Sequence, residues 1–149
     1  MRFHAALGGM IIVLAAAAQA AAAPDQDVLA RQGAMKAMGK TFKEIHGIGA
    51  GDVDAKRALL VSDAADLKRE ASKPWSYFGG ETATSTVKNE ALPAIWTDTA
   101  GFKADQDRLA NAVAALDAAA ATGAPDLVEA KIGDVGAACG ACHKTFKAK

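Results

Sequence analysis

Val28, Met35 and Phe42 recur every seven residues, and Arg31, Met38 and Ile45 form a second row three residues further on. Rows of this spacing fall on one side of a helix, so the stretch from Asp27 to Ile48 reads as an amphipathic helix packed in a bundle. The same pattern returns three times. Val53, Leu60, Ala64, Leu67 and Ala71 mark one face of a helix over Asp52–Ser72, stopped by Pro74, which cannot continue it. Phe102, Leu109, Val113 and Leu116 mark a third between Asp98 and Thr122, stopped by Gly123. Val128, Ile132, Val135, Cys139, Cys142 and Phe146 share a face of a fourth, which opens on Pro125 and runs to the C-terminus. Short links within the first pair and the last pair predict antiparallel neighbours, hence an all-α, antiparallel four-helix bundle. Between the pairs, "KPWSYFGGETATSTVKNEALPAIW" has no period and reads as a long connection that packs through its aromatic residues, with one helical turn in it.

The N-terminal "MRFHAALGGMIIVLAAAAQAAAAPDQ" combines Arg2, an apolar run from Ala5 to Ala18 and small residues around Gln19. This predicts a signal peptide over residues 1–23, cleaved after Ala20 or Ala23, and export to a periplasm. The run is short and alanine-rich for a membrane span, and no second one follows, so no span is expected in the mature chain. Residues 24–149 then form one domain. Seventeen basic residues balance seventeen acidic ones, and removing Arg2 with the leader leaves sixteen against seventeen. No basic block points to nucleic acid.

The chain has two cysteines, and both lie in "CGACH" near its end, three residues apart and followed by His143. A zinc site needs about four ligands, and neither a second CxxC nor an HxxxH supplies the rest. A thioredoxin-type pair needs a βαβ setting, and the chain shows no strands. Covalent attachment of one haem c fits: on a helix both sulfurs reach one porphyrin edge, and His143 stands near enough to ligate the iron.

Three stretches, "RQGAMKAMG", "LPAIWTD" followed by Phe102, and "CGACHKTF", are similar to class II c-type cytochromes, meaning cytochrome c′ and its low-spin, methionine-ligated relatives. The resemblance covers nearly all of the mature chain and also implies a four-helix bundle, with the haem near one end. It implies that Met35, four residues after Arg31, faces the iron opposite His143 and is its sixth ligand. Met38 shares that face and is the alternative ligand, and core packing is the ordinary use of both methionines. Arg31 is a charge in an apolar seam; a haem propionate would pair with it, as the family's similar arginine suggests, whereas at the first turn it could instead reach water. The family often carries an arginine four residues after the haem histidine, where this chain has Lys147.

With His143 and Met35 both bound, the iron suits electron transfer, and the chain reads as a periplasmic electron carrier that docks briefly on redox partner proteins rather than as an enzyme. With the sixth position open, it would instead bind nitric oxide or carbon monoxide. A peroxidase-type enzyme would want an acid–base group near Met35, and the first helix offers none. Family members often dimerise through their first two helices. His46 lies about three turns beyond Met35 and reads as a solvated helix-end residue. Trp75, Phe78, Trp96 and Phe102 wall the haem or fill the core. The lysines and carboxylates of the second and third helices read as solvated faces.

Overall fold

The computed structural model describes residues 13–51 and 53–149, with side chains from Pro24 onward apart from Asp52. Four long helices dominate: α1 (Val13–Gly49), α2 (Arg57–Glu70), α4 (Thr99–Thr122) and α5 (Pro125–Phe146); the single-turn α3 (Ala94–Thr97) precedes α4. Each long helix packs on two others: α1 on α2 and α5, and α4 on α2 and α5. The expected four-helix bundle is therefore present, and among the described residues an isolated antiparallel bridge between Ala91 and Lys147 is the only extended pairing.

The seams account for the packing. Val28, Ile45, Leu60, Leu67, Val113, Leu116, Val128 and Val135 are almost wholly enclosed, each worth about 1.5–3 kcal/mol of burial. In α1 the companion row is the deeper one: Arg31, Met38 and Ile45 are buried, while Met35 and Phe42 are half-buried. The latter two pack on the edge of the main core.

Two helix starts differ from expectation. α1 extends upstream to Val13, because the alanine-rich run ahead of Pro24 is itself a strong helix former and Pro24 is accommodated inside the helix. The first twelve residues of the expected signal peptide lie outside the described residues. α2 begins at Arg57 rather than at Asp52, which itself lies outside them; Val53 is buried ahead of the helix while residues 53–56 form turns. The other boundaries follow local chemistry. The Asp98 carboxylate accepts the Gly101 amide at 2.9 Å and caps α4. Gly123 ends that helix at φ 69°, a left-handed conformation that glycine adopts without penalty.

The connection between α2 and α4 carries two 3₁₀ turns, Pro74–Tyr77 and Gly80–Thr84, besides α3. Three residues of α1 tie it down. The Asp25 carboxylate accepts from the Ser85 hydroxyl (2.6 Å) and the Thr86 amide (2.9 Å), and the Gln32 side-chain amide donates to the Lys88 carbonyl at 2.9 Å. Arg31 makes the third tie, described below. At the other side, Leu92 donates to the Phe146 carbonyl and Ala148 to the Glu90 carbonyl, so the end of the connection runs beside the end of α5.

Candidate haem site

Those ties enclose a cavity of about 570 Å³ between α1, the connection, α4 and α5. Its volume suits a cofactor-sized ligand. Cys139, Cys142 and His143 all border it, as one-turn spacing along α5 requires. From α1 come Arg31, Met35 and Met38; Trp75 and Phe78 come from the connection and Phe102 from α4. The rings form a continuous chain, Trp75 to Phe78 (6.2 Å), Phe78 to Phe102 (5.1 Å) and Phe102 to Phe146 (5.2 Å). Three of the four expected aromatic residues thus line the cavity. Trp96 instead packs behind it and donates its indole N–H to the carbonyls of Phe78 and Gly79.

The chemistry of the two thiols separates the readings of CxxCH. Both are free and half-buried. Burial raises the pKa of Cys139, and burial, then the charges of Asp105 and Cys139, pushes Cys142 up to about 11. A redox-active pair needs the opposite shift. Among the described residues no group of three or more His, Cys, Asp and Glu side chains gathers to hold a metal ion. Two neutral, desolvated thiols facing an apolar cavity suit thioether formation with a planar apolar cofactor. His143 is exposed as a whole. Desolvation of its ring is the main cause that moves its pKa below the usual value, helped by Lys147 and opposed by Glu90, and the neutral imidazole is the ligating form.

Both methionines reach the cavity, but differently. Met38 is packed into the bundle core with 8% exposed, whereas Met35 remains half-buried on the wall. Arg31 does not reach water: only 3% of it is exposed. Its Nη1 donates to Thr82 Oγ1 at 3.0 Å and, more weakly, to the Tyr77 carbonyl at 3.5 Å, its Nη2 donates to Asn89 Oδ1 at 2.8 Å, and its guanidinium lies 4.7 Å from the Phe78 ring centre. These bonds occupy three of five N–H donors, and burial lowers its pKa. His46 is exposed beside Phe42, away from the cavity.

Two features escape the sequence reading. Asp105 is buried on α4, borders the cavity and is ion-paired with Arg108, so the expectation that carboxylates of this helix are simply solvated is corrected there. The signal was present: Asp105 stands three after Phe102 and four before Leu109, in the seam itself. Glu90 meets Lys147 at 2.7 Å at the cavity rim, and that partner holds its carboxyl below the usual range. An aperiodic connection offered no sign of this pairing.

The profile of cytochrome c′ matches residues 26–147. Cytochrome c′ of Alcaligenes xylosoxydans xylosoxydans is 34% identical over 128 residues, covering 86% of this chain and 98% of the relative. Among solved structures, cytochrome c′ of Rubrivivax gelatinosus superposes with a TM-score of 0.78 at 33% identity, covering 83% of this chain and 96% of that one. The nitric oxide complex of a cytochrome c prime variant from Alcaligenes xylosoxidans does so with 0.77 at 33% identity, covering 85% and 96%. Bundle, thiol pair and cavity agree with these likenesses: the chain belongs to the cytochrome c′ family of class II c-type cytochromes, which hold one covalently attached c-type haem.

Proposed function

We propose that Cys139 and Cys142 hold the haem, that His143 is its axial base, and that the position opposite His143 takes nitric oxide or carbon monoxide. The carrying observation is the cavity wall beyond α5, where Met35, Trp75, Phe78 and Phe102 offer an apolar surface suited to a small uncharged ligand. The relative captured as a nitric oxide complex supports it. When bound, the haem supplies an iron that changes oxidation state and accepts a sixth ligand. The chain's own residues do the rest. The two thiols anchor one edge, His143 presents a neutral nitrogen, and the rings exclude water. Met35, being flexible and unbranched, can lie on that wall as packing without ligating. Arg31 retains donor capacity toward a propionate while it holds the connection.

A second reading has its own observation. Met35 borders the cavity with its side chain half-free, so a thioether ligand and electron carriage for redox partner proteins remain the competing assignment. Absorption spectra of the ferric and ferrous protein, with and without carbon monoxide, separate the two. Gas binding requires a high-spin iron and a carbon monoxide complex. A low-spin ferric spectrum with the weak far-red sulfur-to-iron band, and poor uptake of carbon monoxide, would establish electron carriage instead.

Under either reading we assign a binding or carrier protein rather than an enzyme, exported to a periplasm with its leader removed. The family match beginning at residue 26, just past Ala23, supports that boundary, and among the described residues no helix is long and apolar enough to cross a membrane. The exposed Leu29 on α1 and Leu59 and Val61 on α2 support pairing of two copies through these helices.

A further inference from the structure

Among the described residues Asp105 is the one acidic residue buried as a whole, with 9% exposed, and it borders the haem cavity together with Cys142. Its partner Arg108, one turn along α4, is placed differently: that side chain is 53% exposed and borders a separate shallow groove between α4 and α5. Water screens a charge at the surface far more than one inside. The guanidinium therefore cancels only part of the carboxylate's field within the cavity. The other charges facing this space are Arg31, held by the neutral acceptors Thr82 and Asn89, and Lys36, Lys88, Glu90 and Lys147, all four exposed. Burying a charge in a seam is costly, and an apolar residue between Phe102 and Leu109 would pack there without that cost. The site therefore holds an internal negative charge that the bundle does not need.

We propose that Asp105 sets the redox balance of the haem, its carboxylate favouring the ferric state, which carries one more positive charge than the ferrous state. The inference rests on reading this cavity as the haem site and is independent of which ligand takes the sixth position. The test uses holoprotein in which intact mass has shown one covalent haem, titrated with redox mediators. At the ambient potential where the wild type is half reduced, Asp105→Asn and Asp105→Leu should raise the ferrous-to-ferric ratio about tenfold. Asp105→Glu, which keeps the charge, should stay within about twofold of the wild type. The two neutral variants differ in shape, so failure of one to fold leaves the other to decide. An unchanged ratio in a neutral variant with haem attached would overturn the proposal. So would an equal shift in the glutamate variant, since that would make packing the cause. Wild-type protein without covalent haem would remove the site reading and this inference together.

Discussion

Arg31 of α1 donates to the side-chain oxygen of Asn89 at 2.8 Å across 58 residues of sequence, and the same guanidinium holds Thr82 at 3.0 Å. One buried cation thus positions both a 3₁₀ turn and the strand-like end of the connection. Only the folded chain brings these three together.

Replacing Arg31 with Leu should therefore act on the connection first. Loss of its charge-assisted bonds should lower stability by about 2–4 kcal/mol, with Thr82 and Asn89 left short of a donor. Faster amide exchange over residues 79–91 would localise the effect. If the remaining donors also hold a propionate, the reduction potential of the variant moves as well, with the haem still attached.

The two methionines should separate cleanly. Met38→Ala removes a core side chain and should cost about 2–4 kcal/mol in chemical denaturation with little change in the haem spectrum. Met35→Ala should be milder in stability, because its site is already half-open. On the gas-binding reading it leaves the iron high-spin and speeds carbon monoxide binding by enlarging the wall. Conversion from low-spin to high-spin on the same substitution would instead identify Met35 as the ligand.

Gly123→Ala should destabilise the link between α4 and α5. Its φ of 69° disfavours any side chain, and an added Cβ would run into the Arg57 guanidinium, which donates to the carbonyls of Thr122 and Gly123. A loss of about 1–3 kcal/mol in urea denaturation is expected. An equal-sized loss in Arg57→Ala would show that the clamp, rather than the backbone conformation, dominates.

Asp25 should contribute acid sensitivity. Its bonds from Ser85 and Thr86 depress its pKa below 3.8 in the folded chain. A depressed carboxyl pKa means that the folded state favours the anion, so its stabilisation is present above the unfolded value and disappears as pH falls from about 4 through the folded one. Melting temperatures across pH 5 to 2.5 should show a shallower acid decline for Asp25→Asn than for the wild type, with the two curves closest at the acid end.

Helix identity, the buried faces and the clustering of the CxxCH residues at one cavity were legible in the chain because each depends on residues three, four or seven apart, a distance that one helix satisfies by itself. Leu60, Leu67, Val113, Leu116, Val128 and Val135 are enclosed where their spacing puts them. The helix starts near Val13 and Arg57 were less legible, since alanine runs and turns give weak punctuation. What only the tertiary structure decided depends on separations of 46 residues or more: the acceptors of Arg31 on the connection and the approach of Glu90 to Lys147. Asp105 stands between the two groups: its place in the seam of α4 signals burial, and the packed helices add that it borders the cavity while Arg108, three residues on, stays largely in water. Local periodicity says which way a helix faces; whether a polar group on that face meets a partner or solvent is set by the other helices.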